Sequence, residues 1–318
     1  MTAFVWRDGE RTIRFGAGAA GHAWAGVDVL TTARAEPDIP LAVLEGARVH
    51  HVPAGQVPDA AAALVDRVGD GRMVAWGGGR VIDTAKALAA ARGGEVCAVP
   101  TTLSGAEMSR GHRPAPGYEG RPNHRPVLVL AEPDVMAGQP DDARRASAMN
   151  ALAHAAEALY GPGRNPVASL AAARAATLLA RGAEAGGRDD LALGAVLAGY
   201  ALGSAGFSLH HVLCQTVVRT CGTSHSVTNA AVLPWALAAM AGREPAAIAE
   251  LAAALGVEPD GVSERVSGLA GGARLAGEGV GAPDLPRVAD AALERAELDA
   301  LAPPPDRDEL VAILSRAL

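Results

Sequence analysis

Aromatic residues make up only 3% of this 318-residue chain, and cysteine appears three times, at Cys97, Cys214 and Cys221. No two cysteines form a CxxC pair, which removes the common thiol-redox and zinc-ribbon motifs. So small and odd a count suits a reducing compartment. No apolar stretch reaches the roughly 18 residues of a transmembrane helix without a Gly, a Pro or a charge. The opening MTAFVWRDGER carries charges where a secretory signal has an apolar run. Basic charge is not in excess either. A net charge of -7 gives no electrostatic reason to bind nucleic acid or an anionic membrane. These absences leave a cytoplasmic protein whose partner is a small molecule. What the chain does have is apolar mass, 49% of its residues, enough to build one large core or two ordinary ones.

Over the first ~140 residues, short apolar runs alternate with helix-period segments. LAVL, ARVHHV, RMVAW, EVCAV and PVLVLA are expected as strands, and PDAAAALVDRV and RVIDTAKALAAA as helices. Alternation of this kind predicts an α/β layer with a mostly parallel, Rossmann-like sheet over residues 1–140. MAGQPDDARRA is the expected joint, with a Pro and then acidic residues suited to a helix N-terminus. From 141 to 318 every periodic segment reads as helix, including one long stretch, DDLALGAVLAGYALGSAGFSLHHVLCQTVV. An α/β domain followed by an all-helical domain, with a ligand cleft between them, is the expected architecture.

Two loops carry a nucleotide signal. In MVAWGGGRVIDTAKALAA a strand runs into Gly77, Gly78 and Gly79 and then directly into a helix. Such a helix start offers free N–H groups and a favourable dipole to a pyrophosphate. The plain alternative is a tight turn with no ligand. The spacing is not GxGxxG, and Lys86 lies too far on for a P-loop. One βα unit later, PTTLSGAEMS sets Thr101, Thr102, Ser104 and Gly105 where hydroxyls meet ribose or phosphate. In the helical half, Asn150 and His154 share a helix face, as do His211 and Gln215, and His225 opens a further helix. Three imidazoles on separate helices form either a metal site or a metal-free site that binds and protonates an anion. His210, beside His211, is a further candidate, and Arg110, Arg113 and Arg219 are candidates for a carboxylate.

These residues resemble the iron-containing alcohol dehydrogenase superfamily, almost end to end, from IRFGAGA (Ile13 to Ala19) to PPPDRDELVAILSRAL. GGGRVIDTAK is similar to that family's GGGSxxDxAK, with Arg80 in the serine's place and Asp83 at the motif's acid. PTTLSGAEMS, MNALAHAAEALYG, NPVASL and LHHVLC look most like the maleylacetate reductase branch. The resemblance implies a dinucleotide-binding domain, a helical domain, hydride transfer with NAD or NADP, and a homodimer. Thr31, Thr32 and Arg34 then stand where the coenzyme's ribose is discriminated. Their lack of an acid leans toward accepting NADP. In metal-dependent members one Asp and three His hold Fe²⁺ or Zn²⁺. His154, His211 and His225 match the three His, whereas Asn150 replaces the Asp, as in the metal-independent branch. Gln215 stands where the family usually has a His with a proton-relay role. The expected activity is therefore a maleylacetate-reductase-like NAD(P)H oxidoreductase acting on an oxo- or enoyl-acid, without metal. The alternatives are a metal-dependent alcohol dehydrogenase, or a scaffold recruited as a non-redox lyase, cyclase or inactive binding protein.

Overall fold

The structure is a computed structural model and describes residues 3–318. The chain divides into two compact units. The first runs to Gln139 and takes in Arg188–Gly199; the second comprises Pro140–Gly187 and Tyr200–Leu318.

The first unit is a seven-stranded sheet: β1 (Phe4–Asp8), β2 (Arg11–Phe15), β3 (Asp28–Thr31), β4 (Arg48–His51), β5 (Arg72–Gly77), β6 (Glu95–Pro100) and β7 (Leu128–Ala131). Its order is β1-β2-β7-β6-β5-β3-β4. β1 and β2 pair antiparallel, and every other pairing is parallel. Helices α1 (Leu41–Leu44), α2 (Val57–Leu64), α3 (Gly79–Arg92) and α4 (Pro133–Met136) connect the strands. Consecutive strand residues enter opposite cores. Leu30, Ala75 and Ala98 join Leu64, Ile82 and Leu88 on one face. Val29, Val74 and Cys97 join Trp76, Val99 and Leu130 on the other. A parallel sheet covered on both faces needs continuous apolar strands, which is why β5, β6 and β7 were visible as runs rather than as alternation, whereas the four-residue β3, with Asp28 and Thr31 at its ends, was not foreseen.

Two expectations are corrected here. LAVL is not a strand but the single turn α1, led by Pro40; only Val43 is buried and Leu41 is 85% exposed. Four apolar residues contain no period with which to tell helix from strand. The β1–β2 hairpin, closed at Gly9 with φ 61°, was not foreseen, because FVWRD and RTIRF are half charged or polar.

The second unit holds α5 (Asp141–Tyr160), α6 (Pro166–Ala185), the end of α7 (Arg188–Ala205), α8 (Leu209–Cys221), α9 (His225–Met240), α10 (Pro245–Leu255), α11 (Val262–Leu269), α12 (Leu285–Leu293) and α13 (Arg307–Ala317). The long stretch expected as one helix is two. Gly206, at φ 77°, ends α7, and α8 starts at Leu209. With ψ at 174° the Gly206 backbone lies in a region open essentially to glycine alone, where a helix cannot run on. α5 is buried along its whole second half, from Ser147 to Tyr160, and packs against α6, α8, α9 and α10. Its alanines let these neighbours approach from several sides, so the few polar side chains of that buried stretch point into protein rather than solvent. Among the described residues no single helix is long and apolar enough to cross a membrane.

Candidate active site

In the first unit the chain passes from β3 to β4 on one side and returns to β5 on the other. The carboxyl ends of β3 and β5 therefore flank a switch point, where open α/β sheets bind ligands. Gly77 ends β5 there and Gly78 leads to Gly79 at the start of α3, while Thr31 ends β3 and Thr32 and Arg34 follow it. None of the three glycines has a positive φ. Their role is close approach. A Cβ on Gly77 would lie 2.6 Å from Val81 Cγ2, one on Gly78 2.8 Å from Thr102 Cγ2, and one on Gly79 3.2 Å from the Ser104 Cβ. The glycine run thus draws the loop hydroxyls onto the start of α3, which has no side-chain cap. Thr102 Oγ1 is buried there without a hydrogen-bond partner, and so is Thr31 Oγ1. An uncapped helix start with orphaned hydroxyls beside it fits a dinucleotide phosphate and ribose. Arg34 and Arg80 are exposed. Thr32 Oγ1 accepts the Ala35 N–H at 3.3 Å.

Asp83 does not face this opening freely, because its carboxylate accepts from Lys86 at 2.7 Å. Lys86, the chain's single lysine, is fully buried. It also donates to Ala106 O at 3.0 Å and Gly111 O at 2.6 Å. Its three N–H groups are thereby spent tying α3 to the loop that carries Thr101, Thr102 and Ser104. Of the loop's other candidates, Arg110 is exposed and Arg113 donates to Gln56 Oε1 at 2.6 Å.

Beside Lys86, Glu107 is fully buried with neither carboxylate oxygen hydrogen-bonded. Burial pushes its pKa up to about 7, although Lys86 and Arg11 oppose the shift. A carboxyl raised from its ordinary 4.5 stabilises the fold below pH 4.5, and that stability is lost as pH rises through about 7. The shift corresponds to about 3 kcal/mol. Glu107→Gln should therefore gain stability relative to the parent on going from pH 5 to pH 8, by up to about that much. Urea unfolding at both pH values measures it; a pH-independent difference would count against an ionised, unpaired Glu107.

In the second unit Asn150, His154 and Glu157 lie on one side of α5. His211 from α8 stacks on His154, with centroids 4.8 Å apart and planes at 23°, and on Phe207 at 4.6 Å. Glu157 is fully buried. Its carboxyl meets His211 Nδ1 at 2.7 Å and accepts the backbone N–H groups of Ser208 and His211 at 3.0 and 3.1 Å. That leaves His211 Nε2 and His154 Nδ1 buried and unpartnered. Burial drives both rings toward the neutral form. His211 falls to about 3, and His154 falls well below its ordinary value with the other imidazoles adding to the effect. Burial also pushes Glu157 up to about 7.

The remaining histidines divide. His210, also lowered by burial to about 3, turns into the core. Its Nε2 meets Asn229 Oδ1 at 2.8 Å, and the Asn229 amide donates to His225 O at 2.7 Å. His225 itself opens α9 at the surface, close enough for its charge to disfavour protonation of His154 and His211. Gln215, one turn beyond His211, is held by a residue that spacing did not indicate. Its Oε1 accepts from Arg295 Nη1 and Nη2 at 3.3 and 3.2 Å, and Arg295 also pairs with Glu297.

Residues 145–318 match the Fe-containing alcohol dehydrogenase family in its C-terminal part. The chain belongs to the Fe-containing alcohol dehydrogenase family. Within this family it is 33% identical to the maleylacetate reductase of Pseudomonas knackmussii, over 87% of this chain and 81% of that protein. It is 38% identical to maleylacetate reductase 1 of Rhodococcus opacus over 70% of this chain. The matched stretch spans 62–66% of the length of the first curated relatives. The crystal structure of maleylacetate reductase from Rhizobium sp. strain MTP-10005 superimposes with a TM-score of 0.82, at 27% identity, covering 100% of this chain and 98% of that one.

The family implies a metal at His154, His211 and His225, and the side chains present do not fit one. His154 and His211 present ring faces to each other rather than two ring nitrogens to one point. Asn150 brings a neutral amide where non-haem iron sites carry a carboxylate. Among the described residues no three His, Cys, Asp or Glu side chains converge on one point.

Proposed function

We propose that the chain is an NAD(P)H-dependent reductase of the maleylacetate-reductase kind, acting on an oxo- or enoyl-acid without metal. In this reading it is a cytoplasmic homodimer. The first unit holds the dinucleotide, and the second holds the acid and supplies the proton. Arg34, exposed just past β3, suits the 2′-phosphate of NADP.

The buried Glu157–His211 pair carries the reading. Bound NAD(P)H supplies the hydride to an electron-poor carbon of the substrate. The pair handles the matching proton. With one proton on Glu157, its hydroxyl donates to Nδ1, and His211 bears a proton on the otherwise unpartnered Nε2. Passing that proton to the substrate while the Glu157 proton moves to Nδ1 leaves a carboxylate. Three N–H groups of Ser208 and His211 then stabilise that carboxylate.

Oxidation of NADH and NADPH, followed optically with maleylacetate, other oxo-acids and aldehydes, tests this on protein purified without chelator and assayed for metal. Turnover of an oxo- or enoyl-acid is expected, with far less than one equivalent of Zn or Fe and no loss of rate in EDTA. One equivalent of metal, with activity lost on chelation, would establish a metal-dependent alcohol dehydrogenase instead. Tight NAD(P) binding without turnover of any acceptor would indicate a recruited, non-redox scaffold.

A further inference from the structure

Gln215 and Arg295 remain outside the proton step. Gln215 follows His211 by four residues on α8, so the two share a face about 6 Å apart along the helix. A glutamine cannot relay a proton near neutral pH, but its amide oxygen has two lone pairs. Both are used by one guanidinium, at 3.2 and 3.3 Å from Arg295. A neutral imidazole has one ring-plane acceptor and could not receive both arms of that fork.

Arg295 has five N–H groups. Glu297 takes the Nε proton at 3.2 Å and one Nη2 proton, and Gln215 takes one from each Nη. One Nη1 N–H is left over. Arg219, a further turn along the same face of α8, donates to Gln215 O at 3.2 Å. Both Arg295 and Arg219 hold the Glu297 carboxyl below its ordinary pKa. Two guanidinium groups against one carboxylate leave this stripe with a net positive charge, one helical turn from a neutral His211. The Arg295 and Glu297 side chains are 20% and 35% exposed, so the guanidinium can be reached.

We infer that Arg295, presented by Gln215, is the specificity residue that receives a carboxylate of the substrate; this rests on the reductase reading above. The remaining Nη1 N–H gives a carboxylate oxygen one charge-assisted hydrogen bond, and the glutamine at position 215 holds the guanidinium in the plane that presents it.

The test has two arms. Calorimetry with maleate, an unreactive dicarboxylate, reads recognition without turnover. Wild type is expected to bind it, and Arg295→Met at least ten-fold more weakly. Arg295→Lys should fall between, because it keeps the charge and loses the planar group that Gln215 orients. Equal maleate binding by wild type and Arg295→Met, or none by either, overturns the inference even if the enzyme reduces maleylacetate. The kinetic arm compares maleylacetate with an uncharged aldehyde. For Arg295→Met, KM should rise at least ten-fold for the acid, with kcat within about two-fold and the aldehyde's KM unchanged. A parallel rise for both substrates means a structural role and also overturns it. Failure of the reductase reading shows separately, as maleate binding in a protein that oxidises neither NADH nor NADPH.

Discussion

Lys86→Met should cost the first unit about 3–5 kcal/mol and most of its affinity for the dinucleotide. Removing one member of a buried charged network leaves the other members desolvated and unpaired, which is what sets that magnitude. Here three acceptors are stranded at once: Asp83 Oδ1, Ala106 O and Gly111 O. The loss reaches the ligand because Lys86 sits between the two halves of the proposed phosphate cradle. Its stem belongs to α3, whose N-terminus faces the ligand, and its contacts belong to the loop bearing Thr102 and Ser104. Without it that loop loses the two bonds from its Ala106 and Gly111 carbonyls to the helix, and KM for NADPH should rise at least ten-fold. Lys86→Arg should not rescue. The site is fully enclosed, and its acceptors surround a compact ammonium rather than a planar fork. Urea unfolding and a fluorescence titration with NADPH measure both effects, and unchanged values in both would remove Lys86 as the strut. Because the chain has no other lysine, amine acylation gives an independent check. In the folded protein only the amino terminus should react, with Lys86 following once urea opens the unit.

How far the sequence led can be judged residue by residue. The glycine turn after β5 and the apolar runs of β5, β6 and β7 were legible because a doubly covered parallel sheet writes itself as uninterrupted hydrophobicity. LAVL was not, since four residues contain no period. Gly206 was overlooked inside a helical pattern because a glycine that stops a helix and a tolerated helix glycine look alike in sequence. Helical spacing correctly put Asn150 with His154, and His211 with Gln215, on shared faces. It could not say which helix opposes which, and so His210 passed for a site residue while its ring is spent on Asn229. Glu157 was in plain view, three residues after His154 in an alanine run, where a lone charge on a buried face is itself a signal. Arg295 was out of reach, because its contact with Gln215 joins positions 80 residues apart.

The second large effect is expected at Glu157 and His211. His211→Ala should lower kcat for reduction by about 10²–10⁴, the usual worth of a positioned acid, while dinucleotide affinity stays within two-fold. The pH dependence assigns the proton. The pair delivers a proton only when it carries the extra one, so kcat/KM for reduction should fall as pH rises past about 7, where burial places the Glu157 carboxyl. The groups packed around the pair do not compete in that range. His210 and His211 are lowered to about 3, and His154 well below its ordinary value. Tyr160 and Cys214 are raised well above theirs, chiefly by burial. Glu157 is thus, among these buried groups, the one that titrates near neutrality. Glu157→Gln can still accept the Nδ1 hydrogen bond through its amide oxygen, so His211 stays in place, but it cannot store a proton. It should therefore lower kcat by about 10²-fold or more and flatten the descending limb near pH 7. A variant that merely loosened the fold would lower the rate and keep the limb. If Glu157→Gln reproduces the parent's pH profile, the proton comes from elsewhere, and His211 is left with a binding role. The sign also follows for stability. A carboxyl raised by burial favours folding below its ordinary pKa of 4.5, and that contribution disappears through about 7. Glu157→Gln should therefore be least harmful to the fold at alkaline pH, where the parent's advantage in rate is also smallest. Stability and turnover then lose their pH dependence together on removal of one carboxyl, which ties both to the proton on Glu157.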